Sequence, residues 1–210
     1  MPLRVTSWKP FSSSFSSSFI NSFRGGDRYG MWFDNVNDRV TIPTPAVTVD
    51  VKMKVTAAGS GTAGMALSSS NSGSIFLLAS QSGSSSSISA GSGTPTITVD
   101  GVAVTTRGGL FTALADGLGH EVIATDADLS SWTSLYIGTY SAAGVWAWEG
   151  TIWDVRFYNS STDALVHQYN GDGNTDADWE DQVGSNDGTV YGSPSRAIST
   201  DGGATWAEDV

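Results

Sequence analysis

The chain has 210 residues, no cysteine, two histidines, and 21 acidic against 10 basic side chains, for a net charge of −11. A chain of this length buries roughly 70% of its unfolded surface on folding, so one domain with a real core is expected. The missing thiols exclude disulfides, Cys-based metal sites and thiol catalysis. The acidity argues against a partner gripped by neutralising phosphates, so no nucleic acid is expected. Charged residues are only 15% of the chain while glycine reaches 25 positions, a balance that belongs with loop-rich all-β proteins.

The charge is segregated. Residues 163–210 hold ten acids and one base, Arg196, whereas residues 1–162 sum to −2. Residues 1–28 run the other way, with Arg4, Lys9, Arg24 and Arg28 against Asp27. No secretory h-region follows Met1-Pro2-Leu3-Arg4-Val5, and the longest strongly apolar run, Ile75-Phe76-Leu77-Leu78-Ala79, is too short to cross a membrane. Synthesis in the cytoplasm, with retention there or delivery by lysis or on a particle, is the expectation, and no membrane partner is expected.

Taken in chain order, the first element is a low-complexity leader. Phe11, Phe15, Phe19 and Phe23 recur every four positions among serines. That spacing puts the rings on one face of a strand and drifts by only about 40° per step on a helix, so periodicity leaves both open. Serine is a mediocre helix former, Pro10 precedes the run and Gly25-Gly26 ends it. Residues 1–28 are read as an extended N-terminal arm that anchors by laying its Phe face on another surface. The alternatives are packing on the chain's own core and plain disorder.

From residue 29 the signals are strands. Val47, Val49, Val51, Met53 and Val55 alternate with Thr48, Asp50, Lys52, Lys54 and Thr56, the mark of a strand with one wet face. Serine- and glycine-rich stretches between Leu67 and Thr94 bracket an apolar strand, Ser74 to Ala79, and read as hairpin loops rather than an interdomain linker. Ile97-Thr98-Val99 and Val102-Ala103-Val104 flank Asp100-Gly101, a two-residue hairpin turn. Strand patterns follow at Val122 to Ala124 and Leu135 to Tyr140. Another comes where Trp153, Val155 and Phe157 alternate with Asp154, Arg156 and Tyr158. No helical periodicity runs for a useful length. The expectation is an all-β, two-sheet antiparallel sandwich or jelly roll over residues 29–192, followed by an acidic C-terminal hairpin or tail over 193–210.

Three motifs bear on chemistry. Asp172, Asn174, Asp176, Asp178 and Glu180 alternate oxygen-bearing side chains like the start of an EF-hand loop. Ala177 stands where that loop needs its glycine and Val183 where it needs its bidentate glutamate. The set is a candidate Ca²⁺ site, with a solvated acidic loop as the plainer reading, and no other cofactor is expected. Of the eight tryptophans, Trp146 and Trp148 fall on one face of a strand pattern and Trp148 and Trp153 are expected in the core. Trp146 and Trp179 are left as candidate carbohydrate-stacking residues. No Gly-x-Ser-x-Gly elbow accompanies His120 or His167.

Phe33-Asp34-Asn35-Val36-Asn37-Asp38-Arg39-Val40-Thr41-Ile42-Pro43 resembles the opening hairpin of concanavalin A-like, laminin-G-like lectin domains. Trp148-Glu149-Gly150-Thr151-Ile152-Trp153-Asp154-Val155-Arg156-Phe157-Tyr158 resembles their late strand, and Asp100-Gly101-Val102, Gly119-His120-Glu121-Val122 and Leu135-Tyr136-Ile137-Gly138 fall in the family's order. Ser199-Thr200-Asp201-Gly202-Gly203-Ala204-Thr205-Trp206 resembles the Asp box of propeller hairpins. One copy cannot build a propeller, so it is read as a tight structural turn. Gly171 through Trp179, Gly184 through Val190 and the Phe/Ser leader resemble stretches of bacteriophage structural proteins carrying such domains.

The resemblance implies a jelly roll that hosts lectins, glucanases, receptor modules and virion proteins. A glucanase of this fold writes its carboxylates as Glu-x-Asp-x-x-Glu. The glutamates here are Glu121, Glu149, Glu180 and Glu208, and none sits in that spacing. The resemblance therefore implies a non-enzymatic virion component, for capsid decoration, a head fibre or the tail. It would be anchored through Phe11, Phe15, Phe19 and Phe23 to other virion proteins or to copies of itself, and would display its lectin-like part for assembly or adhesion to a cell-surface glycan. A free carbohydrate-binding lectin is the alternative, and a degenerate glycoside hydrolase the third.

Overall fold

The computed structural model describes residues 28–34, 36–55, 63–69, 75–80, 88, 93–139, 146–170, 179–201 and 203–208. In chain order the elements are β1 (Arg28–Asp34), β2 (Arg39–Pro43), β3 (Val49–Val55), β4 (Ala63–Ser69), β5 (Ile75–Ser80), β6 (Thr96–Val99) and β7 (Val102–Val104). Helix α1 (Arg107–Leu114) comes next, then β8 (His120–Ala127), β9 (Ser134–Ile137), β10 (Glu149–Asn159), β11 (Leu165–Asn170), β12 (Thr189–Tyr191), β13 (Ser195–Ser199) and β14 (Ala207–Glu208). The arm residues Phe11, Phe15, Phe19 and Phe23 lie outside the described residues, as do the candidate metal ligands Asp172, Asn174, Asp176 and Asp178.

The strands form two antiparallel sheets. The larger runs β14-β13-β1-β10-β3-β8-β6-β7, with β11 also paired to β10, and the smaller runs β12-β2-β9-β4-β5. The sequence alternation decides which side chains lie between them. Met31 and Phe33 of β1, Val49 and Val51 of β3, and Val155 and Phe157 of β10 meet Val40 and Ile42 of β2, Leu67 of β4 and Leu135 and Ile137 of β9 in one core. The intervening Asp50, Lys52, Asp154 and Arg156 lie half-buried on the opposite face. The expected all-β, two-sheet arrangement is what these residues build.

The Asp100-Gly101 turn forms as read, with φ of 48° and 82° and Val99 paired to Val102 across it. The strand expected from Leu135 to Tyr140 stops at Ile137. Gly138 takes φ +87° there, and a Cβ at that position would collide with the buried Phe33 ring. Helix α1 was not expected. It spans eight residues, starts where the Thr106 hydroxyl accepts from Gly109 N at 3.1 Å, and buries Leu110 and Leu114 against β5 and β6. Two apolar anchors one turn apart, with Gly108-Gly109 in the first turn, are too little for a periodic signal.

The C-terminal segment pairs as a hairpin, β13 with β14, and joins the large sheet. β13 is hydrogen-bonded along β1, from Arg28↔Ser199 to Trp32↔Ser195, so residues 195–199 are a strand of the large sheet. Trp153 is buried as expected, at 8% exposed, though outside the main cluster. The β10–β3 register shifts between Ile152 and Asp154, and at this bulge Ile152 joins the main cluster while Trp153 is buried beside Gly30 and Trp206.

Candidate functional site

His167 and Asp181 form a densely bonded polar cluster. β11 delivers His167, and the segment that returns toward β12 delivers Asp181, whose side chain is fully buried. Its carboxylate faces His167 Nδ1 at 2.6 Å and accepts from Gln168 N at 3.2 Å, Val183 N at 3.1 Å and Asn186 N at 3.3 Å. Gly184 is required here, because a Cβ would strike the same carboxylate. Asp187 Oδ1 accepts from Asp181 N at 3.0 Å and Tyr169 OH donates to Asn186 O at 2.6 Å, so the loop closes on itself. Burial works against ionisation, yet the backbone amides, Gly184 foremost, and His167 hold the Asp181 carboxyl down at about 2.

The remaining ring nitrogen, His167 Nε2, lies 3.2 Å from Asn186 Nδ2. With Nδ1–H donated to Asp181 and Nε2 accepting from the amide, both nitrogens are engaged and neither is left to move a substrate proton. The cluster braces a loop.

His120 is engaged in the same way. Its Nδ1 lies 2.7 Å from Asp100 Oδ2 and its Nε2 2.8 Å from Asp116 Oδ1. Both bonds require both ring protons, so the imidazolium ties the β6–β7 turn to the turn after α1. Burial disfavours the cation, but the hydrogen bonds to Asp100 and Asp116 outweigh it and raise the His120 pKa above its ordinary 6.5. A raised histidine contributes its stability fully below the unfolded value and loses it as pH rises through the folded one. The urea midpoint is therefore expected to fall above pH 6.5 in the wild type, with the His120 imidazole resonances titrating in parallel. His120→Gln should remove that limb of the profile, and an unchanged limb would show that His120 does not produce it.

The Asp-box segment is a hairpin clasp. Asp201 accepts from Ala204 N at 3.0 Å, Thr205 N at 2.9 Å, Thr205 Oγ1 at 2.6 Å and Ser199 Oγ at 2.8 Å. Those bonds, the Thr205 hydroxyl first, hold its carboxyl well below the usual carboxylate range. Trp206 donates from Nε1 to Gly203 O at 3.1 Å and lies on Trp153 with ring centroids 4.4 Å apart. Gly119 N donates to Ala204 O at 2.9 Å, carrying the clasp to the start of β8. Asp201→Ala is expected to free the hairpin and expose Trp206, read as a red shift in tryptophan emission; emission unchanged from wild type would contradict the clasp.

The two carbohydrate candidates part company. Trp179 is 0% exposed within the core, and Gly188 N donates to its carbonyl at 2.9 Å, so it has no ring face for a sugar and is withdrawn. Trp146 is 45% exposed and takes φ +51°, which turns the chain just ahead of β10. It does not share a strand face with Trp148, which is buried. Glu180, the one described member of the Ca²⁺ set, is exposed, and among the described residues no group of three or more His, Asp or Glu is placed to hold a metal.

The outer face of the small sheet carries an aromatic patch that the sequence reading missed. Tyr191 of β12 is directly opposite Arg39 of β2. The Arg39 guanidinium sits 4.1 Å from the Tyr191 ring centroid and 5.9 Å from that of Tyr136 on β9. Tyr191 remains 43% exposed. Flat rings beside a fixed cation and the Thr41 and Thr189 positions can stack a sugar ring and bond its hydroxyls. No signal local to residue 39 or 191 could have paired them, since they lie at opposite ends of the chain. No family model, curated protein or solved structure matches the chain.

Proposed function

We propose that this chain is a non-enzymatic structural protein of a bacteriophage virion: a concanavalin A-like jelly roll held in the particle by its N-terminal arm and displayed outward. The observation that carries the reading is the contrast between the two parts. Residues 1–28 hold four cations, one acid and four evenly spaced phenylalanines, whereas the remainder holds six cations against twenty acids. An adhesive leader joined to a strongly anionic sandwich suits a protein that is fixed at one end and solvated at the other. The two histidines support it further, since each spends both ring nitrogens on bracing loops. Synthesis in a host cell and assembly into the particle follow from this reading.

Gold-labelled antibody raised against the sandwich, applied to intact virions, should mark the particles at regular positions. Unmarked virions, with all of the protein in the soluble lysate, would overturn the proposal. A second reading, a free carbohydrate-binding lectin, is favoured by the exposed Tyr191–Arg39 patch and by Trp146. A glycan array probed with and without EDTA tests it. Binding lost on Tyr191→Ala would place a sugar on that patch, and sensitivity to EDTA would restore calcium to the account.

A further inference from the structure

We propose that the open edge at β7 is the docking site for the Phe/Ser arm of a neighbouring copy of this chain, which adds as an extra strand and seats a phenyl ring in the adjoining cleft. This deepens the reading of residues 1–28 as an arm and rests on it, but not on the particle in which the copies sit.

Among the described residues β7 ends the large sheet, and its Val102 is 69% exposed. In an antiparallel ladder closed by a two-residue turn, Val99 and Val102 exchange bonds and Ala103 turns its N–H and C=O away from β6. An edge of this kind is a template for a further strand. Beside it lies a cleft of about 440 Å³ lined by Pro95, Thr96, Ile97, Ala103, Val104 and Thr105, within the range of roughly 300–1,000 Å³ of clefts that take organic groups. Its lining is apolar side chains and threonine hydroxyls, with no charge. An extended peptide bound by an edge strand plus a side-chain pocket is a recurring mode of recognition: the backbone supplies adhesion and the pocket selects the residue.

The occupant follows from the chain itself. A four-residue spacing puts Phe11, Phe15, Phe19 and Phe23 on one face of an extended strand, with serines to meet the threonine rim. The arm is cationic and the rest of the chain anionic, so approach is favoured. Reach limits how much of the row the chain's own arm can bring. The arm enters at β1, five strand spacings from β7, or about 24 Å at ~4.8 Å each. Phe23 is five residues from Arg28 and spans at most about 17 Å, so within one chain it cannot arrive, though Phe19 at about 31 Å can; a second copy alone can lay all four rings along the edge, and the doubly substituted single chain distinguishes the two.

The absence of native cysteine makes disulfide trapping clean. Full-length Ala103→Cys is mixed under mild oxidation with a mass-tagged full-length partner carrying Phe11→Cys, Phe15→Cys, Phe19→Cys or Phe23→Cys, and Ser161→Cys, on the exposed turn between β10 and β11, replaces Ala103→Cys as the control. At least one arm position should couple to residue 103 ten times faster than to residue 161, and the full-length Phe11/Phe15/Phe19/Phe23→Ser variant should sediment as a smaller species than wild type. Equal coupling at both positions, coupling only within a single doubly substituted chain, or unchanged sedimentation of the quadruple variant would each overturn the inference. If trapping fails while the quadruple variant is still lost from particles, the arm anchors to another protein and only this inference falls.

Discussion

Asp181→Ala should lower the unfolding free energy by about 3–5 kcal/mol, because hydrogen bonds to a charged group contribute about 1.5–3 kcal/mol each and this carboxylate accepts several. The carboxylate is the hub for His167 Nδ1 and for the amides of Gln168, Val183 and Asn186. Alanine leaves those part-buried donors without their acceptor, and each donor left unsatisfied costs up to about 1–3 kcal/mol. Asp181→Asn keeps one acceptor oxygen and should lose less. Chemical denaturation at neutral pH measures both. The pH profile supplies a second readout. A depressed carboxylate contributes stability above its unfolded value of 3.8 and loses it as pH falls toward about 2. The wild type should therefore weaken across that window more steeply than Asp181→Ala. Equal slopes would show that this carboxylate does not govern acid stability.

Gly138→Ala is the second large effect, expected at about 2–4 kcal/mol. Part is conformational, because φ +87° is left-handed backbone that costs an ordinary residue about 1–2 kcal/mol. The rest is overpacking, typically about 1–3 kcal/mol, since the new methyl would enter the space of the Phe33 ring. Phe33→Ala alone should cost about 3–5 kcal/mol through the cavity it opens. The two together should cost less than their sum by about 1 kcal/mol or more, because the methyl then occupies vacated space. Strict additivity in denaturant midpoints would contradict the contact that ends β9 and turns the chain toward the core.

The features legible in the sequence were those whose physics is local. Alternation from Val47 to Val55 shows a strand with one wet face, Asp100-Gly101 has the backbone freedom a tight hairpin needs, and Asp201 can reach amides only a few residues away. What escaped depends on partners far along the chain. That Trp153 is buried against Trp206 and outside the main cluster goes with a register shift against β3, which no pattern within β10 encodes. Trp179 looked free because its neighbours are acidic and glycine-rich, but the loop that Asp181 organises folds it inward. Arg39 and Tyr191 meet only because β12 pairs with β2. The β-sandwich could thus be read from periodicity, while the exposed aromatic patch needed the sheet order.

We propose that the Phe face of residues 1–28 fixes this protein in a virion. The most direct measurement compares full-length wild type with the full-length Phe11/Phe15/Phe19/Phe23→Ser variant, each supplied during phage growth, by quantitative mass spectrometry of gradient-purified virions. The account predicts that wild type copurifies in a fixed copy number per particle and that the variant, still folded by circular dichroism, falls at least tenfold. Incorporation of the variant at the wild-type level, or absence of the wild-type protein from the particles, would contradict it.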